Sequence, residues 1–122
     1  MRVALYVPYS ADGHTTPPLG PLYLLAVLER EGIEGRLFDA RSDARALDRL
    51  LEYRADLVGI SAVTPAFKRG LRAAVAVKAA SPRALVAFGG PHSSALPGAT
   101  LAEPCVDLAL VGESERSFVE VC

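Results

Sequence analysis

The stretch Ala84-Leu85-Val86-Ala87-Phe88-Gly89-Gly90-Pro91-His92 decides the fold. Five consecutive apolar residues without polar alternation predict a strand covered on both faces, as in a parallel sheet. Two adjacent glycines at its exit leave a floor free of side chains, where a large flat ligand can approach backbone.

Apolar runs of the same kind recur on both sides of it. They predict strands over residues 3–7, 33–38, 56–60 and 106–111, beside the one over 84–88. Helical patterns fill the gaps. Residues 21–30 are apolar on almost every side, which predicts a deeply buried helix that Gly32 stops with a left-handed turn. Ser42 or Asp43 can cap a helix carrying Leu47, Leu50 and Leu51 on one face. Thr64-Pro65 opens another, with Phe67, Leu71, Ala74 and Val75 as its stripe and Ser81-Pro82 as its end. A short helix is expected over 96–101, and Ser114 can cap a last one through Phe118 and Val121. Strands alternating with helices at this spacing give an α/β fold, a doubly wound five-stranded parallel sheet with helices on both faces. Five strands are too few to close an eight-stranded barrel.

Composition narrows the setting. With 122 residues, 51% of them hydrophobic, the chain fits one domain around a single core. A net charge of −1 with interspersed signs offers no basic stripe for nucleic acid and no polybasic patch for a membrane surface. Neither is expected as a partner. Cys105 and Cys122 lack CxxC spacing and a histidine cluster, so a structural zinc site is not expected and a reduced, cytoplasmic protein is. The apolar run at the N-terminus stops at Pro8, too short for a secretory signal, and no run is long enough to span a bilayer.

In an open parallel sheet, ligands bind outside the carboxyl ends of the strands, near the switch in strand order. The segments there are 8–20, 61–64, 89–92 and 112–113, all rich in small, polar or turn-forming residues. Loops in general share that composition, so each segment alone is equally consistent with plain turn chemistry. Several ligand classes fail on them. The first strand-to-helix turn lacks the glycine fingerprint of a dinucleotide site, and no glycine-rich segment ends in Lys-Ser or Lys-Thr. The third strand ends Gly59-Ile60-Ser61, without the aspartate of a phosphoacceptor domain. No GxSxG elbow exists to activate Ser61, Ser93 or Ser94 with His14 or His92, which disfavours a hydrolase.

Taken together, the loops resemble the cobalamin-binding domain that precedes the catalytic barrel in B12-dependent radical S-adenosylmethionine enzymes. The resemblance covers almost the whole chain. It rests on Pro17-Pro18-Leu19-Gly20-Pro21-Leu22-Tyr23-Leu24-Leu25-Ala26, on Asp56-Leu57-Val58-Gly59-Ile60-Ser61 with Thr64 after it, on Gly89-Gly90-Pro91-His92, and on Asp107 through Gly112-Glu113. It implies a Rossmann-like or flavodoxin-like sheet. The broader cobalamin-binding family uses Asp-x-His-x-x-Gly, then Ser-x-Leu, then Gly-Gly. This chain offers Asp12-Gly13-His14-Thr15-Thr16-Pro17, Ser61-Ala62-Val63 and Gly89-Gly90, with proline and valine as its two departures.

The resemblance implies roles residue by residue. His14, oriented by Asp12, would be the lower axial ligand of cobalt, against the alternative of a polar loop residue near the corrin's lower face. Leu19, Gly20 and Val63 would supply an apolar platform, and Ser61, Thr64 and His92 would bond amides, ribose or phosphate. Gly89, Gly90 and Pro91 would wall a slot for the nucleotide tail, so that Gly90→Leu blocks uptake with the fold intact. Gly112 belongs to the same rim, and Glu113 would take a ribose hydroxyl or balance the N-terminal end of the last helix. No catalytic residue is expected in this chain.

The implied cofactor is cobalamin, as methylcobalamin or hydroxocobalamin. The implied partner is a radical S-adenosylmethionine barrel, in cis or in trans, holding a [4Fe-4S] cluster and S-adenosylmethionine for methyl transfer. The cluster motif CxxxCxxC is missing here, so that barrel lies elsewhere. Residues 1–122 are then expected to be a single cobalamin-binding domain, the N-terminal part of a longer protein, since the sequence stops inside a predicted helix. The rival reading from another class is a scaffold domain that kept the fold and lost cobalamin.

Overall fold

A computed structural model describes residues 1–10, 18–110 and 115–122. Its centre is a five-stranded, wholly parallel sheet in the order β2-β1-β3-β4-β5, with β1 Arg2–Val7, β2 Glu34–Asp39, β3 Leu57–Ser61, β4 Leu85–Gly89 and β5 Leu108–Ala109. The chain leaves β1 toward β2 on one side and then returns to β3 on the other. The switch in strand order therefore lies between β1 and β3.

Alternation along the strands builds two cores. Val3, Leu5, Leu57 and Ala87 face one layer with Leu28 of α1 (Leu19–Arg30) and Phe118 of α6 (Glu115–Val121). Ala4, Tyr6, Val58, Ile60, Val86 and Phe88 face the other, with Leu50 of α2 (Ala46–Tyr53) and Ala73, Ala74 and Val77 of α3 (Phe67–Ala80). Small residues in the sheet admit these helices. A Cβ on Gly59 would stand 3.1 Å from the Phe118 ring, and one on Gly70 would stand 3.1 Å from the Phe88 ring. The first glycine lets an aromatic side chain lie on β3, and the second lets α3 approach β4.

The elements differ from expectation in identifiable ways. The helix expected to be buried all round is α1, and it is not: only Pro21 and Leu28 are buried, while Leu19 is 74% exposed and Leu22 and Tyr23 also face outward. An edge position in its layer leaves one flank uncovered, so apolar periodicity overstated its burial. Its end is as expected. Gly32 adopts φ +72°, with Gly32 N–H donating to Glu29 O at 3.1 Å and Ile33 N–H to Leu28 O at 2.9 Å, a Schellman stop.

Asp43 accepts the Arg45 N–H at 2.9 Å in the turn before α2, whereas Ser42 Oγ bonds Asp39 O instead of capping that helix. Thr64–Ala66 forms a 3-10 turn ahead of α3, with no side-chain cap. The short helix expected over 96–101 is α5 Pro97–Leu101, and a further short helix that the sequence reading did not include, α4 Pro91–Ala95, precedes it. Proline starts each, because its fixed φ suits a first helical position and its missing N–H costs nothing there. The fifth strand is described only over Leu108–Ala109.

The amino edge of the sheet is held by aspartates. Asp56 Oδ2 accepts the Arg2 N–H at 2.7 Å, and Asp107 Oδ2 accepts the Val86 N–H at 2.8 Å while pairing with Lys78 Nζ at 2.6 Å. Each carboxylate ties the start of one strand to its neighbour and satisfies an N–H beyond the reach of the ladder.

Candidate functional site

The carboxyl ends of β1, β3 and β4 open onto a cavity of about 510 Å³, at the switch in strand order. That volume lies within the range of about 300–1,000 Å³ usual for small-molecule sites. Its lining comes from the exit of β1 (Val7, Pro8, Ser10), the entry to α1 (Pro18, Leu19, Gly20, Pro21), and the exits of β2 (Arg41), β3 (Ser61, Val63, Ala66) and β4 (Gly90, Pro91).

The β4 exit is shaped by one glycine. Gly90 sits at φ +92°, and a Cβ there would stand 3.1 Å from Ala62 O and from Ser61 Oγ and 3.2 Å from Ala62 N. Both the torsion and the contact exclude a side chain. Gly90→Leu would thus disturb the β3 and β4 exits themselves, and the expectation that it spares the fold is corrected on that ground. Gly89 is different: a Cβ on it would meet only Leu110 Cβ, at 4.0 Å, and it does not line the cavity. Behind this turn Ser93 Oγ lies 3.2 Å from Phe88 O and 3.0 Å from Leu110 O, shared between two carbonyls in a buried clamp.

Across the cavity, α1 begins without a side-chain cap, and a Cβ on Gly20 would meet nothing within 4 Å. The first turn of α1 therefore faces open space, with the positive end of its dipole at the cavity. Leu19 and Val63 line the cavity with exposed side chains, and the Arg69 guanidinium lies 5.1 Å from the exposed Tyr9 ring centre, outside the cavity lining.

The structure thus brings Leu19, Gly20, Ser61, Val63, Gly90 and Pro91 around one space. Gly89 and Thr64 lie outside its lining. Asp12, His14, Gly112 and Glu113 fall outside the described residues, as does the side chain of His92. Sequence reasoning marks the segment 8–20 without singling out Ser10 within it, and misses Arg41. The rule that singled out strand exits applies equally to β2, whose exit Asp39-Ala40-Arg41 was the one left unread.

Two other features carry less chemistry. A larger groove of about 900 Å³ runs along the open edge of β2, but its charges are matched among themselves. Tyr53 donates to Glu34 Oε2 at 2.6 Å, Arg2 pairs with Glu34 at 3.3 Å, and Arg2 and Arg36 each lie 5.4 Å from the Tyr53 ring centre. Burial, reinforced by the Glu34 acceptor, pushes the Tyr53 hydroxyl up to about 12. Burial also pushes both thiols, Cys105 and Cys122, above their ordinary values, which disfavours the thiolate that nucleophilic or metal chemistry requires. Among the described residues no group of three or more His, Cys, Asp or Glu is placed to hold a metal ion, and no helix is long and apolar enough to cross a membrane.

A family model for the B12 binding domain matches residues 10–122. The chain belongs to the B12-binding domain family. An uncharacterised methyltransferase of Pyrococcus horikoshii is 32% identical over 132 residues, covering 99% of this chain and 28% of its own length. The cytidylyl-2-hydroxyethylphosphonate methyltransferase of Streptomyces wedmorensis is 28% identical over 126 residues, covering 85% of this chain and 24% of its own length. This B12-binding domain therefore spans about a quarter of the curated relatives it matches. Among solved structures it is similar to the radical S-adenosylmethionine methyltransferase TsrM of Kitasatospora setae, with cobalamin and a [4Fe-4S] cluster bound. The TM-score is 0.66 at 22% identity, over 79% of this chain and 21% of that one, a likeness of fold.

Proposed function

We propose that this B12-binding domain holds cobalamin at the carboxyl edge of its sheet and presents it to a radical S-adenosylmethionine catalytic domain, in cis or in trans, for methyl transfer. The observation that carries the reading is the Gly90 turn, which closes one wall of a 510 Å³ cavity at the switch in strand order. The residues present fit such a group. The Ser61 and Gly90 end offers a serine hydroxyl beside a glycine without a side chain, as a nucleotide tail requires. Leu19 and Val63 give the cavity exposed apolar surface, as a broad macrocycle requires.

When bound, cobalamin supplies a cobalt-carried methyl group; the protein supplies position and environment. Ser61 Oγ would orient the tail at the β3 exit, Pro91 and Gly90 would keep the slot rigid, and Leu19 and Val63 would exclude water beneath the ring. Two relatives named as methyltransferases support the transfer of a methyl group, and TsrM supports a cluster-bearing partner domain. Residues 1–122 would then be one domain of a longer enzyme or of a two-chain assembly. His14, steered by Asp12, is the proposed candidate for the lower face of cobalt.

The test is to incubate the purified protein with hydroxocobalamin, desalt it and record the visible spectrum. Retained corrin absorbance is expected; its complete loss would favour a scaffold domain without cofactor. A His14→Ala variant with an unchanged spectrum would dispose of axial ligation while leaving the binding reading intact.

A further inference from the structure

The start of α1 brings donors to the cavity that the Ser61 and Gly90 end does not explain. Helix α1 opens at Pro18 without a side-chain cap and with no acidic residue in its first turn. The first N–H groups of any α-helix have no intrahelical acceptor. Here Leu22 N–H already reaches back to Pro18 O at 3.0 Å, and Pro21 has no N–H, so the groups in question are those of Leu19 and Gly20. Both residues line the cavity, and a Cβ on Gly20 would meet nothing within 4 Å.

An independent group points to a ligand in the same space. Ser10 lines the cavity at only 8% exposure, and its Oγ has no hydrogen-bond partner among the described residues. A buried hydroxyl without a partner destabilises the ligand-free fold, and one in the wall of a cavity can be completed by the molecule that fills it.

Charge indicates what these donors recognise. No aspartate or glutamate is among the described residues of the lining, and Arg41, the charged side chain there, is paired with Asp39 at 3.0 Å. Two backbone N–H groups can only donate, a hydroxyl can donate, and the positive end of a helix dipole favours negative charge. That combination suits an oxyanion, phosphate above all. On the cobalamin reading given above, on which this inference rests, the ligand's oxyanion is the phosphodiester that joins its ring to its nucleotide.

We propose that the Leu19 and Gly20 N–H groups and the Ser10 hydroxyl form an oxyanion subsite that holds the phosphodiester of cobalamin, separate from Ser61 and Gly90. The test titrates parent and variants, followed by the visible corrin spectrum, with hydroxocobalamin and with diaquacobinamide, which keeps the ring and lacks the phosphodiester and nucleotide. Calorimetry with inorganic phosphate is the third arm. Ser10→Ala should weaken hydroxocobalamin about tenfold and leave diaquacobinamide within about twofold of the parent. The ligand-free variant should be as stable as the parent or more so, a combination that a merely structural serine would not produce. Gly20→Asp places a carboxylate in the open space at the helix start, where it strengthens the helix and repels a second anion. It should bind hydroxocobalamin about tenfold more weakly than Gly20→Asn, which has the same size without the charge, and that gap should not appear with diaquacobinamide. The Gly20 pair decides the matter if Ser10→Ala fails to fold.

Equal losses for both corrins would set these residues against the ring and overturn the proposal. Unchanged affinity for both would overturn it as well, and if inorganic phosphate alone were weakened the site would belong to free phosphate instead. A parent protein that binds neither corrin would overturn the cofactor reading, and the subsite with it.

Discussion

The two edges of the sheet use polar residues in opposite ways. At the amino edge every aspartate named above is matched: Asp56 holds the Arg2 N–H, and Asp107 holds the Val86 N–H and Lys78. At the carboxyl edge a glycine keeps a left-handed torsion, a buried hydroxyl stands without a described partner, and apolar side chains remain exposed. One edge satisfies its own groups and spends them on the register of the strands. The other leaves one buried hydroxyl, Ser10, without a partner among the described residues, a group that a bound ligand or water can complete. The aspartates that helped to mark the family resemblance thus lie on the edge away from the cavity, where their work is structural.

Substitutions can break this division. The largest effect on stability is expected at Gly90, the one position where cavity and fold share a constraint. Gly90→Ala should destabilise the protein by about 2–4 kcal/mol, from the positive φ and the crowding against Ala62. Urea denaturation measures it, and an unshifted midpoint would show that the turn relaxes freely. Next comes the amino edge. Asp107→Ala strands the Val86 N–H and leaves Lys78 with only the Ala84 carbonyl of its two described partners, and should cost about 1–3 kcal/mol with corrin retention unchanged. A loss of corrin at unaltered stability would reverse the assignment of the two edges. At the mouth, Leu19→Asp should stay within about 0.5 kcal/mol of the parent, because the side chain is already exposed, yet retain less corrin after desalting. Equal retention would remove Leu19 from the platform.

The same contrast explains what was legible in the sequence. The sheet could be read because strands buried on both faces are unbroken apolar runs, and β1, β3 and β4 all are. Burial of α1 could not, since an apolar helix on a flank of its layer has the same composition as one at the centre. Gly90 was visible as half of a glycine pair, but the difference between Gly90 and Gly89 comes from a torsion and from Ala62, neither of which is encoded locally. Arg41 was hidden by its own neighbour. Beside Asp39 it looks like an ordinary surface ion pair, and only the topology, with β2 next to β1, brings Arg41 to the cavity.

The smallest effect is a shared one. Asp39 at the carboxyl edge and Asp107 at the amino edge both have folded pKa values below the ordinary carboxylate range. In each case burial pushes upward and is outweighed by hydrogen bonds and charge, from Arg41 for the first and from Lys78 and the Val86 N–H for the second. A carboxyl with a lowered folded pKa contributes stability that is fully present above its unfolded value, about 3.9, and is lost as pH falls through the folded one. The acid limb of stability should therefore begin near pH 4 and carry a share from each edge. Asp107→Asn should flatten it with corrin retention unchanged. Asp39→Asn should flatten it too, and by removing the ion pair that helps to hold Arg41 at the cavity should also lower corrin retention. Urea midpoints between pH 7 and pH 3 measure the first effect and corrin titration at pH 7 the second. If Asp39→Asn shifts the acid limb but leaves corrin bound as before, the Asp39 fork belongs with the amino-edge aspartates, as a structural device beside the cavity.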